Sequence, residues 1–152
     1  MKKLIFLLIF LLVSSNLFAS TVDLSVVSKI ESSNNPKAYN KNSQAIGLFQ
    51  ITPICLKEYN VFHPQKTFNK QDLFNPKINT IIAKWYLNKR IPQMLSYYKK
   101  PVTIENILIC YNAGISFTKS YKLPKETQNY IKKYKKLVKE KSTNSCRFCT
   151  EK

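Results

Sequence analysis

Three proline pairs, each standing before a helical hydrophobic pattern, constrain the fold of this chain most strongly. They are Thr52-Pro53, Asn75-Pro76 and Leu123-Pro124. Proline is favoured at the first helical position because its fixed φ suits a helix and its missing N–H needs no partner there. Few segments show the alternation that is typical of strands. The chain is therefore predicted to be mainly α.

A first helix is predicted ahead of these pairs. Val22, Val26 and Ile30 recur at helical spacing after a capping pattern that begins at Ser20. The helix should end before Pro36, because a residue that precedes proline disfavours the helical conformation. Residues 45–51 are predicted to form a small β element.

The later helices follow from similar signals. Pro92 should end or kink the helix that follows Asn75-Pro76. The residues predicted on the buried side of that helix are Ile78, Ile81, Ile82, Trp85 and Tyr86. Thr103 is predicted to cap the next helix, which Gly114 ends. We expect one domain over residues 20–138 and a basic, disordered tail with a C-x-x-C pattern over residues 139–152.

Residues 1–19 have the pattern of a secretory signal peptide. Lys2 and Lys3 precede an apolar run over residues 4–13, and cleavage after Ala19 would release the mature chain. The run is short for a bilayer span, although an uncleaved N-terminal anchor is the alternative. The chain is therefore predicted to be exported to the periplasm or cell envelope.

The chain is strongly basic, with a formal net charge of +17 that becomes +15 when Lys2 and Lys3 leave with the leader. Such a charge favours anionic partners, namely nucleic acid, membrane surfaces or anionic wall polymers. Export makes nucleic acid the least favoured of these. A general abundance of lysine, with no specific partner, is the alternative interpretation.

The four cysteines do not indicate a metal site. Cys146 and Cys149 form a single C-x-x-C, whereas a zinc site recognisable from sequence needs a second such pair. A small disulfide between them is the preferred interpretation in an oxidising compartment. Cys55 and Cys110 lie in apolar segments and are predicted to be core residues. A disulfide between them is the alternative.

Glu31 is the candidate catalytic acid. It follows Leu24 and Val27 at helical spacing, which places it on or beside the apolar face of the first helix. A carboxyl group held against apolar surface has a raised pKa and can donate a proton near neutral pH. The alternative is an ordinary surface glutamate near a helix end. Ser32 follows directly, where it could orient the carboxyl group or a substrate group.

Three other segments carry candidate binding residues. The only two glycines mark residues 47–51, which read G-L-F-Q-I, and residues 111–114, which read Y-N-A-G. The amide of Gln50 can both donate and accept hydrogen bonds. Glu126 and Tyr130 are i, i+4 neighbours on one helical face. Taken singly, these segments are also typical of a buried strand, a helix C-terminus and a helix start.

Together the motifs resemble those of the soluble lytic transglycosylases, the goose-lysozyme-like catalytic domains that cleave peptidoglycan. The resemblance covers residues 23–134 and rests on E-S-x-x-N-P from Glu31, G-L-F-Q-I, Y-N-A-G and E-T-x-x-Y from Glu126. Departures include Cys110 where alanine is frequent and Phe49 where methionine is frequent. The resemblance implies a lysozyme-like, α-rich single domain that acts on peptidoglycan glycan strands.

The resemblance also implies roles for individual residues. Glu31 would be the sole catalytic acid and base, and no metal or other cofactor would be needed. Substrate-binding positions carried over from the family are Ser43, Gln50, Tyr111, Asn112, Glu126 and Tyr130.

The expected reaction cleaves the bond between N-acetylmuramic acid and N-acetylglucosamine and leaves a 1,6-anhydro end. A hydrolytic muramidase and a non-catalytic wall-binding module are the alternatives. We expect a monomer, with a secretion, conjugation or flagellar assembly as a possible partner.

Overall fold

The computed structural model describes residues 21–120 and 122–147, so the predicted signal peptide lies outside the described residues. This part of the chain is mainly helical and almost without strand, which confirms the predicted fold class. The helices are α1 (Leu24–Ser32), α2 (Pro53–Phe62), α3 (Pro76–Trp85), α4 (Ile91–Tyr97), α5 (Ile104–Ala113) and α6 (Lys125–Arg147). Short 3-10 turns span Gln71–Phe74 and Ile115–Lys119.

Side-chain caps begin several of these helices, as the sequence predicted. Thr52, Asn75 and Thr103 each accept a hydrogen bond from a backbone N–H in the first turn of α2, α3 and α5. The cap of α1 differs from the prediction. Its N-cap is Asp23, whose Oδ1 accepts from the backbone N–H groups of Ser25 and Val26, so the helix begins later than a cap at Ser20 would place it.

The core is built around α3 and α4. Ile82, Leu87, Ile91 and Leu95 are fully buried along this pair. Helix α5 packs against α4, and α6 packs against both α1 and α5. Burial of this apolar surface is the main stabilising contribution to the domain, and it fixes the three helices that carry the candidate site residues.

The regular α-helix that follows Asn75-Pro76 ends at Trp85, before Pro92, and the helical run continues beyond it. Tyr86–Arg90 form a π-helical turn between α3 and α4, and Pro92 lies in the first turn of α4. Pro92 has no N–H with which to continue a regular α-helical hydrogen-bond ladder, and the change from α-helix to π turn lies directly ahead of it. The predicted burial of Ile81 is wrong, since it is 41 % exposed, whereas Ile82 is fully buried.

The predicted β element near residues 45–51 reduces to two isolated antiparallel bridges. Ile46 pairs with Tyr39 and with Ile51. The Ile46 and Ile51 backbones exchange two hydrogen bonds of 3.0 Å, which close a tight loop between them. Gly47 and Gln50 take positive φ values of 78° and 47° inside this loop.

Helix α6 continues to Arg147, so the tail predicted to be disordered from Lys139 is helical over its first part. Lys141 Nζ lies 2.8 Å from Asp23 Oδ2, and Tyr134 Oη accepts from the Asp23 N–H at 2.8 Å. These contacts tie the far half of α6 to the start of α1. No helix in the described part of the chain is long and apolar enough to cross a membrane.

Cys55 and Cys110 are buried and free, so the alternative of a disulfide between them is wrong. Their interpretation as core residues is confirmed. Cys149 and the side chain of Cys146 lie outside the described residues, and the proposed tail disulfide lies there with them.

Candidate active site

We call the segment from Ile46 to Ile51 the bridged loop. A cleft of about 690 Å³ lies where this loop meets the end of α1, the end of α5 and the start of α6. It brings together most of the predicted site residues, although they come from distant parts of the chain. Those that line it are Glu31, Ser43, Gln50, Tyr111, Asn112, Glu126 and Tyr130.

Glu31 occupies the last turn of α1 and turns a largely buried carboxyl group toward this cleft. Burial, which disfavours the charged form, raises the pKa of Glu31 from its ordinary value to about 7. A hydrogen bond from Tyr130 lowers the pKa, the charge of Glu126 raises it, and the charge of Lys133 lowers it, but burial is the largest cause. The carboxyl group is therefore protonated in much of the protein near neutral pH.

Tyr130 fixes the orientation of that carboxyl group. Its hydroxyl donates to Glu31 Oε1 at 2.8 Å, a contact between residues 99 positions apart. Burial, followed by the nearby Glu31 charge, raises the pKa of Tyr130, so this hydroxyl keeps its proton. No described residue hydrogen-bonds Glu31 Oε2. One oxygen is thus anchored and the other is left for a ligand.

The bridged loop is held against α5 and α3 by its backbone at Phe49. The Phe49 carbonyl accepts from Tyr111 Oη at 2.6 Å, and its N–H donates to Asn79 Oδ1 at 2.9 Å. The Tyr111 hydroxyl is thus committed to the protein, so the ring is the part of this residue that is left to line the cleft. These two contacts tie the loop to both helices.

Asn79 was not predicted from the sequence. Its side chain is fully buried, and its Nδ2 donates to the carbonyls of Ile46 at 2.9 Å and Leu73 at 2.8 Å. The space that it occupies is available because residue 47 is glycine: an added Cβ would meet the Asn79 amide and lie 2.5 Å from the Leu73 carbonyl oxygen. Gly47 therefore allows the close approach on which this network depends.

Gln50 and Asn112 are both oriented by neighbouring protein groups. The Gln50 amide nitrogen donates to the Gly47 carbonyl at 3.1 Å. Thr127, which is buried, donates from Oγ1 to Asn112 Oδ1 at 2.8 Å. Because this contact uses the amide oxygen, the Asn112 amide nitrogen remains the group that can donate to a ligand. Thr127 thus positions Asn112, a role that was not assigned to it from the E-T-x-x-Y motif to which it belongs.

Ser32 does not line the cleft, in contrast to its predicted role in orienting the catalytic carboxyl group or substrate. Its Oγ donates to the Leu48 carbonyl at 2.8 Å and accepts from the Asn35 N–H at 3.1 Å. Residue 32 lies one step around the helix from Glu31, so its side chain faces the bridged loop. Its role is to join α1 to that loop.

The other carboxylates near the site have structural partners. Glu58 Oε1 accepts from Arg90 Nε at 2.6 Å, and Asp72 Oδ2 accepts from the Asn69 N–H at 2.7 Å. Glu31 and Glu126 are the carboxylates that line the cleft in the described part of the chain, and Glu126 is exposed. The arrangement therefore offers one buried proton donor beside an open, polar groove.

Tyr86 also lines the cleft, and its placement depends on the π-helical turn that it begins. Its hydroxyl hydrogen-bonds Glu58, which is paired in turn with Arg90. The helical spacing predicts Tyr86 on the buried side of its helix, and the structure packs it against the core as well as at the cleft. The π turn itself was not predicted, because a regular helical period does not include its added residue. Lys133, also missed, could have been found from its spacing to Glu126 and Tyr130.

A family model described as "Transglycosylase SLT domain" matches residues 20–136. This match spans α1 to the middle of α6 and includes every residue that lines the cleft. No curated protein matches the chain, and no solved structure matches it.

Proposed function

This chain belongs to the transglycosylase SLT domain family, and we propose that it cleaves the β-1,4 bond between N-acetylmuramic acid and N-acetylglucosamine without consuming water. The family's substrate is peptidoglycan. The observation that carries the proposal is the partly buried carboxyl group of Glu31 in the wall of the cleft, where burial raises its pKa to about 7.

In the first step Glu31 acts as the general acid. The protonated carboxyl group donates its proton to the glycosidic oxygen as the bond from that oxygen to muramyl C1 breaks. The hydroxyl of Tyr130 stabilises the carboxylate that is left, because it donates to Oε1 at 2.8 Å. Positive charge develops on the sugar beside this new carboxylate.

In the second step the same carboxylate acts as the base. It removes the proton from the muramyl C6 hydroxyl while that oxygen forms a bond with C1 and closes the 1,6-anhydro ring. Glu31 is thereby returned to its protonated form, and no water enters the product. A bound hydroxyl of the substrate replaces a second catalytic carboxylate because its proximity makes the attack intramolecular.

The test is the mass of the fragments released from purified sacculi in water labelled with heavy oxygen. We expect anhydro-muramyl ends, lighter than reducing ends by one water and free of the label. Labelled reducing ends would show a hydrolytic muramidase instead. Tight binding to sacculi without any released fragment would show a non-catalytic wall-binding module.

The pH dependence of cleavage should follow the protonation of Glu31. Because burial raises the pKa of Glu31 to about 7, the acid form predominates below that pH and is lost above it. The rate is therefore expected to be nearly constant below about pH 6 and to fall about tenfold per pH unit above about pH 8. Initial rates on soluble glycan fragments from pH 5 to pH 9 measure this. A rate unchanged up to pH 9 would contradict it.

We also propose that the protein works as a monomer outside the cytoplasm, where peptidoglycan lies, after loss of residues 1–19. The strong positive charge of the chain suits a carboxylate-bearing wall polymer. We further propose that it opens the wall for a secretion, conjugation or flagellar assembly. The mass of the protein recovered from envelope fractions tests the export proposal, since retention of residue 1 in a cytoplasmic fraction would oppose it.

A further inference from the structure

One face of helix α6 forms a wall of the cleft. The residues on this face are Glu126, Asn129, Tyr130 and Lys133, which recur at the i, i+3, i+4 and i+7 spacing of one helical stripe. Lys133 is the basic side chain that lines the cleft in the described part of the chain. The other lysines of α6 do not line the cleft in the described part of the chain.

Several of those other lysines have acidic partners. Lys135 lies 2.6 Å from Glu105 and Lys141 lies 2.8 Å from Asp23. Lys133 makes no hydrogen bond or ion pair with any described residue, and its charge acts instead on Glu31 across the cleft. Lys133 is thus an exposed, unpaired basic residue in the wall of the cleft.

The position of Lys133 relative to the reacting bond can be estimated. It lies one turn beyond Tyr130, which hydrogen-bonds the catalytic carboxyl group, and side chains so spaced are about 5–6 Å apart at Cβ. The scissile bond begins at muramyl C1, and the same sugar carries the lactyl group to which the stem peptide is attached. The two sugar rings themselves are uncharged, so the carboxylates of this peptide are the anionic groups nearest to the reaction.

We propose that Lys133 is a specificity-determining residue that binds a carboxylate of the muramyl-linked peptide and so favours strands whose stem peptides carry free carboxylates. This inference rests on the proposed function, because it assumes that the muramyl unit lies beside Glu31. A lysine suits this task because its flexible ammonium group can reach carboxylates in several positions.

Binding of the peptide would also act on the catalytic acid. The charged groups that act on Glu31 are Glu126 and Lys133, with the Tyr130 hydroxyl as its hydrogen-bond donor. A substrate carboxylate that neutralises Lys133 removes an interaction that favours ionised Glu31, so the carboxyl group holds its proton more firmly. The correct substrate thereby keeps the acid in the form that begins the reaction.

The test compares Lys133→Gln with Lys132→Gln on two forms of the same sacculi. One form has free stem carboxylates, and the other is treated with carbodiimide and ammonia to convert them to amides. Lys132 is the matched control because it is the adjacent exposed lysine and does not line the cleft. For the wild type we expect KM to be about twofold to fivefold lower on soluble fragments of the free form, as one exposed ion pair allows.

Lys133→Gln is expected to remove this preference by raising KM on the free form, with KM on the amidated form unchanged. Lys133→Arg should retain the preference, and Lys132→Gln should behave as the wild type. With the charge of Lys133 removed, the alkaline limb of the pH profile should also move to higher pH. Equal losses for Lys132→Gln and Lys133→Gln, or equal losses on both forms, would overturn the proposal.

Sedimentation with the two forms of sacculi separates this proposal from the proposed reaction, because it measures binding without cleavage. The role of Lys133 would be supported if the wild type binds the free form more tightly and Lys133→Gln abolishes this preference. This would hold even if the reaction products proved to be those of hydrolysis. Equal binding of wild type and Lys133→Gln to both forms, together with normal anhydro products, would reject Lys133 and leave the reaction intact.

Discussion

Replacement of Glu31 with glutamine is expected to lower the rate of glycan cleavage about a thousandfold or more, because positioned acid–base catalysis typically contributes about 10²–10⁴ and this residue would act in both steps. Glutamine keeps the shape and can still accept the hydrogen bond from Tyr130, but it has no proton to donate to the glycosidic oxygen. The measurement is the initial rate of anhydro-muramyl product formation under saturating substrate.

Glu126→Gln is the matched control, since Glu126 lines the same cleft but is exposed. Its loss should change the rate far less, and chiefly through binding and through its charge near Glu31. An unchanged helical circular dichroism spectrum would show that the Glu31→Gln variant folds. If this folded variant still cleaves at a tenth of the wild-type rate, Glu31 is not the acid–base catalyst.

Replacement of Gly47 with alanine is expected to lower the free energy of unfolding by roughly 3–5 kcal/mol, which combines a strained backbone with overpacking. Gly47 has a φ of 78°, which alanine adopts only with strain. The added Cβ would also meet the Asn79 amide and the Leu73 carbonyl oxygen, and the latter is backbone that cannot rotate away. Urea unfolding followed by circular dichroism measures the change.

Gly114→Ala separates the two causes. Gly114 has a φ of 93°, but nothing lies within 4 Å of a Cβ placed there. Only the backbone strain should therefore appear, at about 1–3 kcal/mol. Equal losses for the two variants would mean that the packing of Asn79 against residue 47 contributes little, and that the bridged loop is held mainly by other contacts.

The helix starts could be predicted from the sequence because a cap and a first-turn proline act within a few residues. Thr52, Asn75 and Thr103 each satisfy N–H groups of the turn that follows, so the signal is local and independent of tertiary packing. The continuation of α6 was missed because the polar sequence after Val138 does not reveal the contact of Lys141 with Asp23, more than a hundred residues away.

The residues of the candidate site also divide into those that local motifs reveal and those whose roles depend on distant segments. Glu31, Gln50 and Asn112 could be proposed from short motifs, since each lies beside residues that shape its own segment. Asn79 and Ser32 could not be assigned correctly, because their roles are set by backbone groups of other segments. Asn79 satisfies two backbone groups of the bridged loop and the Leu73 carbonyl of the neighbouring 3-10 turn, and a lone asparagine in a helix gives no sign of that.

The contacts of Asp23 place the beginning of α1 beside the middle and far half of α6, whereas Glu31 stands at the opposite end of α1, about 12 Å along its axis at 1.5 Å per residue. Residues 21 and 147 therefore both lie toward the end of the α1–α6 pair that is away from Glu31. A partner fused directly at residue 21 or residue 147 would attach at that end of the helix pair and not beside the buried carboxyl group.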